Sequence, residues 1–300
     1  MLPEWFEKAV ELYKENNSYL SIGRIIEVNR KQVGYYLKNN GYPPKTTFPQ
    51  KNGTNRSSVV WRKYELDELF FENIDTEEKA YWFGFMCADG YVSEKKSTME
   101  VTLQERDIYH LEKFKNSLRS NYKLTRHKKV LNGKEFIGYR LTFSSEKMKK
   151  DLVDKGCTIR KSLTLKFPTS DVVPKELVRH FIRGYFDADG CIYKNSNRNI
   201  SYTVELTGTI EFLERYVKEI KLHKNKLHHP HEDRIGVNFY KSSYAGQYAL
   251  HILKYMYDGA TVFLDRKYEL AKMAVAVLSQ KTTEGSRLLE GELSREGVKS

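Results

Sequence analysis

The chain has little cysteine, and what it has is poorly arranged for metal or disulfide chemistry. Cys87, Cys157 and Cys191 form an odd set with no C-x-x-C pair, which argues against a zinc site and against a disulfide scaffold. A reducing compartment suits them. Long apolar runs are also missing: none approaches the ~20 residues needed to span a bilayer. The opening MLPEWFEKAV lacks a basic segment followed by an apolar one, so no secretion signal is expected. The expectation is a cytoplasmic protein with no membrane partner.

Basic charge, by contrast, is plentiful. The 300 residues carry 51 Lys and Arg against 39 Asp and Glu, a formal charge of +12, interleaved with 21 Tyr and 15 Phe. That mixture suits a polyanionic partner such as nucleic acid. A soluble basic protein with a solvated surface gives the same totals, so charge alone leaves both open. The length suffices for two cores.

Residues 1–42 read as three short helices. Phe6, Ala9, Val10 and Tyr13 recur at the spacing of one buried helical face. A second helix runs through LSIGRIIEV. In the third, Asn29 is the expected N-cap, Val33 and Leu37 face inward, and Gly41 ends the run. This resembles a helix-turn-helix unit whose second helix presents Arg30, Lys31, Gln32 and Tyr35 to a major groove; a three-helix knot bracing a larger body has the same pattern. Residues 43–63, with paired prolines, Asn-Gly and several bases, read as a basic linker.

A repeat follows. WFGFMCADG and IRGYFDADG place Gly90 and Gly190 one hundred residues apart, and self-similarity at a fixed distance decides architecture before any local pattern does. Asp75 with Glu78 resembles a capping box at the start of the first motif helix, and Pro174 opens the second. After each motif come a strand pair (ending MEVTLQ, YTVELT), a helix (DIYHLEKFKNSL, TIEFLERYVKEI), a second strand pair (with GYRLTFSS, GVNFYKSS) and a further helix. The expected fold class is α+β: two pseudo-symmetric αββαββα repeats, residues 64–172 and 173–279, beside a small all-α N-terminal domain. Residues 280–300, of mixed charge, are expected to be a flexible tail.

The two motifs also point to chemistry. Tyr81, Gly84, Phe85 and Ala88 share one helical face, and Phe181, Gly184, Tyr185 and Ala188 hold the matching places. Small residues four apart let two helix backbones approach closely, so the helices are expected to pack on each other across a pseudo-two-fold axis. Asp89 and Asp189 would then meet at the carbonyl ends of both helices, where negative charge is unfavourable. A divalent cation with oxygen ligands, best magnesium, would reverse that penalty. A single Asp-Gly is equally a glycine-terminated turn; two on matched faces are hard to read that way.

These residues resemble the LAGLIDADG homing endonucleases of the single-chain, two-repeat type, over roughly residues 64–278. The resemblance implies a saddle of strands on double-stranded DNA with a long asymmetric site. It further implies metal ligation by Asp89 and Asp189 with the carbonyls of Ala88 and Ala188. Mg2+ would be the cofactor, with Mn2+ or Ca2+ able to substitute in binding, and Lys161 and Lys267 would be the basic residue of each half. The chain would act as a monomer and cut each strand once. Cys87 departs from the pattern, since the matching position holds Asp187; a supporting role is expected there.

Strand alternation puts Arg140 and Thr142, with Thr102 and Gln104, and Thr203, Glu205, Thr207 and Asn238 in the second half, on the surface facing DNA. Arg126 and Lys128, in a basic hairpin, are expected to hold phosphates. Two rival readings accommodate the same residues: a DNA-binding regulator on an inactive scaffold, and an intron RNA maturase.

Overall fold

The structure is a computed structural model, and it describes residues 2–15, 17–43, 64–131, 134–157, 163–195, 201–221, 227–228 and 237–296. Most of the expected linker therefore lies outside the described residues. The chain divides into two compact units, residues 1–61 and 62–300.

The first unit is built from α1 (Phe6–Lys14), α2 (Tyr19–Ile25) and α3 (Arg30–Asn39). Asn29 caps α3 through its side-chain oxygen, which accepts from Lys31 N at 2.9 Å. Phe6, Ala9, Leu12, Ile22, Val33 and Leu37 form a small core of their own.

The second unit writes one element order twice. In the first repeat α4 (Glu77–Ala88) leads to β1 (Tyr91–Val92), β2 (Thr98–Gln104), α5 (Ile108–Ser117), β3 (Thr125–Leu131), β4 (Lys134–Ser144) and α6 (Glu146–Asp154). In the second, α7 (Val178–Asp189) leads to β5 (Gly190–Asn195), β6 (Ser201–Gly208), α8 (Ile210–Glu219), β7 (Leu227–His228), β8 (Tyr240–Ala245) and α9 (Gln247–Tyr257). Each sheet is antiparallel, in the orders β1-β2-β4-β3 and β5-β6-β8-β7. Both repeats close on a glycine in the left-handed region, Gly156 at φ +95° and Gly259 at φ +67°, where a side chain would be strained. A last helix, α10 (Asp265–Glu296), extends past residue 280, where the sequence reading puts a tail.

Several boundaries differ from the sequence expectation. The N-cap of α4 is Thr76, whose hydroxyl accepts from Lys79 N, while Asp75 instead pairs with the Lys79 ammonium at 2.8 Å. A β-region backbone at Thr76 suits the cap. Before α7 a short 3-10 turn, Lys175–Leu177, follows Pro174. β8 begins only at Tyr240, because Asn238 is engaged elsewhere, as described below.

Strand alternation makes one face of each sheet apolar. Val101, Leu103, Leu141 and Phe143 are buried in the first, and Tyr202, Val204, Leu206 and Tyr244 in the second. Both faces join one continuous core.

The centre of that core is the pair α4 and α7. Residues 80–87 of α4 are all buried, as befits a helix apolar on every side. The helices touch backbone to backbone: a Cβ on Gly84 would overlap the Phe181 carbonyl and stand 2.9 Å from Tyr185 N. Reciprocally, a Cβ on Gly184 would overlap the Tyr81 carbonyl and stand 3.1 Å from Phe85 N. This exchange of equivalent contacts is the pseudo-two-fold relation expected from the motifs. Replacing Gly184 by alanine should therefore lower unfolding stability by about 2–3 kcal/mol, the cost of overpacking a rigid contact, read as a reduced urea midpoint. An unchanged midpoint would show that the helices are not locked through these glycines.

Candidate active site at the paired helix ends

α4 and α7 end side by side, and their last residues define the site. Asp89 and Asp189 are exposed there, each preceded by a half-buried alanine, Ala88 and Ala188. Burial pushes the pKa of the Tyr185 phenol up, and the charges of Asp189, Cys87 and Asp89 add to the shift. The Thr207 hydroxyl stands 3.5 Å from the Asp189 carbonyl oxygen, so the strand surface adjoins the acids.

Lys267, in the first turn of α10, is only 5% exposed and enters the same place. Its ammonium donates to the carbonyls of Phe186 at 2.7 Å and Gly190 at 2.6 Å, filling acceptors at a helix C-terminus where positive charge is favoured. Burial lowers its pKa to about 8, against the opposing pull of Asp187 and Asp89. Lys161 lies outside the described residues.

Asp187, at 1% exposure, accepts from Tyr81 Oη at 2.7 Å, Tyr257 Oη at 2.5 Å and Leu264 N at 2.7 Å. Burial raises its pKa, while Lys267 and these donors work the other way. The supporting role expected from sequence thus has a physical form: Asp187 faces inward as a hydrogen-bond hub. Arg183, fully buried, donates to the carbonyls of Val262 and Met256 at 2.8 Å each and to Glu77 Oε1 at 2.6 Å. Glu77 begins α4, so this ion pair ties the two repeats together. Arg183 was not identified from sequence, and the partners of Asp187 were not legible there. The available signal was Arg183 and Asp187 among the apolar residues of the motif helix, with Tyr81 matching Phe181.

The other residues singled out from sequence separate into groups. Arg30, Lys31, Gln32 and Tyr35 all lie exposed on α3 of the first unit. In the first sheet, register puts Thr102 opposite Arg140 and Gln104 opposite Gly138, on the face shared with Glu100 and Thr142. Arg140 donates to Thr102 Oγ1 at 3.0 Å and pairs with Glu100 at 3.4 Å. Arg126 and Lys128 are exposed, but they alternate with Thr125 and His127 and so point to the opposite face of β3 from Arg140.

In the second sheet, Thr203, Glu205 and Thr207 share the polar face with Tyr193 and Ser243. Glu205 is occupied, accepting from Lys241 at 2.9 Å and from Tyr193 and Ser243 at 3.0 Å each. Burial would raise its pKa, yet these donors bring it below its ordinary value. Asn238 departs from expectation. Its oxygen accepts from Ile210 N at 3.0 Å, and its amide donates to Leu163 O and Glu211. It latches the start of α8, since a capping amide satisfies an otherwise orphaned N–H, and is not part of the strand.

Residues 176–252 match the model of the LAGLIDADG-like domain family. The matched residues lie within the second repeat, which is similar to the LAGLIDADG-like domains. No curated protein matches the chain. Among solved structures, the LAGLIDADG meganuclease I-AabMI bound to uncleaved DNA is 14% identical, with a TM-score of 0.45 over 67% of this chain and 91% of that one. The LAGLIDADG homing endonuclease I-GzeII in complex with its DNA target is 13% identical, with a TM-score of 0.42 over 69% and 91%. The N-terminal LAGLIDADG domain of DUF199/WhiA is 17% identical, with a TM-score of 0.38 over 68% and 92%.

The LAGLIDADG-like repeat and its partner offer a hard donor set at the helix ends: two carboxylates and nearby carbonyl oxygens. Among the described residues no cluster of three or more His, Cys, Asp or Glu forms a metal cage. Two acids with carbonyls suit a cation that keeps several waters, as magnesium does, and do not suit zinc.

The interface also has an acid response. His110 is buried and burial drives its pKa down to about 3, helped by Lys113, Arg266 and Lys267. His180 is similarly lowered to about 4, by burial first and then Arg183. Folded values below 6.5 mean that the neutral rings favour the fold above that pH, and the contribution is lost as pH falls toward 4 and 3. Urea midpoints should therefore drop on acidification from about pH 7 to about pH 4.5, and drop less steeply in His110→Gln. Parallel curves for the two proteins would contradict this.

Proposed function

We propose that the chain is a site-specific endonuclease that hydrolyses one phosphodiester in each strand of double-stranded DNA. The observation that supports it best is the reciprocal glycine contact of α4 and α7, which carries Asp89 and Asp189 to one end of a helix pair beside Lys267. Two acids at adjoining helix C-termini repel each other, and such an arrangement persists when function requires it.

Asp89 and Asp189, with the carbonyls of Ala88 and Ala188, would hold divalent cations, magnesium first. What bound magnesium supplies is Lewis acidity at the phosphoryl oxygens and a more acidic water. Lys267 brings positive charge next to the acids, where it stabilises charge developing on the phosphate. Lys161 has the corresponding role in the first half. The polar faces carrying Thr102, Gln104, Arg140 and Thr142, and Thr203, Glu205 and Thr207, lie against the DNA. Arg140 suits a guanine edge. Glu205, already engaged by three donors, orients Lys241 and Tyr193 toward the duplex. Arg126 and Lys128, turned to the other face of β3, lie outside this surface. Arg30, Lys31, Gln32 and Tyr35 extend the footprint as a helix-turn-helix. Both halves of the site belong to one chain, so the active form is a monomer.

Plasmid pools carrying candidate sites, incubated with and without Mg2+, test the reading. The wild type should linearise some members only with the metal. Asp89→Asn and Asp189→Asn should each slow cutting by about a hundredfold or more while retaining DNA binding. Binding without cutting by the wild type would instead identify a regulator on an inactive scaffold. Undiminished cutting by both variants would exclude this site.

A further inference from the structure

Among the differences between the two motif helices, two are coordinated. Positions one hundred residues apart correspond along the motifs and are identical at Gly84, Ala88, Asp89 and Gly90. Where the second repeat has Asp187 the first has Cys87. The partner that reaches Asp187 across the helix pair is Tyr81, whose own counterpart is Phe181. Tyr81 Oη donates to Asp187 Oδ2 at 2.7 Å; a phenylalanine has no hydroxyl to offer in return. Acid and cross-interface donor are thus present together in one direction and both replaced in the other.

What the carboxylate holds is the connection from α9 to α10. Tyr257, the last residue of α9, and Leu264, just before α10, both donate to Asp187. The Lys267 backbone N–H in turn donates to the Leu264 carbonyl at 3.0 Å. The clamp therefore sets the first turn of α10, and with it the direction from which the Lys267 ammonium meets Phe186 O and Gly190 O. At the matching carbonyl of the first repeat, Met86 O, the Cys157 thiol donates at 3.4 Å.

Tyr81 itself is aimed. Its oxygen lies 2.9 Å from His110 Nε2, and His110 Nδ1 is buried with no hydrogen-bond partner. A proton on Nδ1 would leave a buried donor unsatisfied, so the proton resides on Nε2, which donates to Tyr81 and leaves the tyrosine hydroxyl hydrogen for Asp187. The first repeat thus supplies a fixed relay, His110 to Tyr81, that ends on the carboxylate of the second.

We propose that Tyr81 is a positioning residue, lent by the first repeat, which fixes Lys267 through Asp187, so that cutting of the DNA strand served by Lys267 depends on this clamp while cutting of the other does not. The inference rests on the nuclease reading, and its structural half can be tested apart from it.

For the first arm, sites cut from a plasmid library of randomised inserts in Mg2+ are recovered and rebuilt as duplexes with each strand labelled separately. Tyr81→Phe and Tyr257→Phe should each slow one strand about tenfold, the scale of a small misplacement, and leave the other within about twofold. A loss of folding slows both strands alike, so equal rates in either variant overturn the proposal.

The second arm uses the free protein and acylation by N-acetoxysuccinimide, followed residue by residue by mass spectrometry. Lys267 in Tyr81→Phe should react about tenfold faster than in the wild type, with exposed Lys8 unchanged, because loosening a local contact raises the open population. Unchanged Lys267 reactivity overturns the proposal whatever the library shows. Faster reactivity together with a wild type that never cuts supports the clamp and overturns only the nuclease reading.

Discussion

Everything else in the second unit depends on two helix backbones touching at Gly84 and Gly184. At this distance neither helix can carry a Cβ at the contact, so the pair is fixed in register, and a slide along either axis would bring side chains into backbone. The register delivers Asp89 and Asp189 to the same end. It also determines which side chains of α4 confront α7, Glu77 meeting Arg183 and Tyr81 meeting Asp187.

Burying polar groups at such a contact is costly unless each finds a partner. Arg183 and Asp187 both do, and both draw partners from the other repeat: Glu77 and Tyr81 from α4. Arg183 also takes carbonyls from the α9–α10 region, and Asp187 takes Tyr257 and Leu264. The start of α10 is also tied to the first repeat through Arg266, which donates to both carboxylate oxygens of Asp107 at 3.0 Å. The connection bearing Lys267 is thus held by both repeats, and the pseudo-symmetry of the backbone coexists with a strongly asymmetric set of side chains.

Much of this was legible in the sequence. The repeated element order and the small-residue positions on the motif helices followed from period and spacing, which are local properties. The exposed face of α3 was legible for the same reason. Legibility failed where a side chain's partner is distant in the chain. Asn238 looked like an alternating strand residue and proved to be a latch on α8, because its partners Ile210 and Leu163 come from elsewhere. Glu205 was expected on the strand face toward DNA, and its three donors, which only the sheet reveals, come from neighbouring strands. Arg126 and Lys128 were expected to hold phosphates as part of a basic hairpin, and strand register turned them to the other face of the sheet from Arg140.

The sequence by itself determined that there are two copies of one αββαββα unit, that each ends its first helix on Ala-Asp-Gly, and that position 87 breaks the match. Helical and strand periods repeat every few residues and can be read without a fold. Only the tertiary structure decided that Asp187 is a buried hub, that Tyr81 belongs to the other repeat's half of the site, and that Lys267 is pinned to the end of α7. Those facts join residues from 70 to 106 positions apart, and a hydrogen bond of under 3 Å between such residues exists only after packing has brought their backbones together.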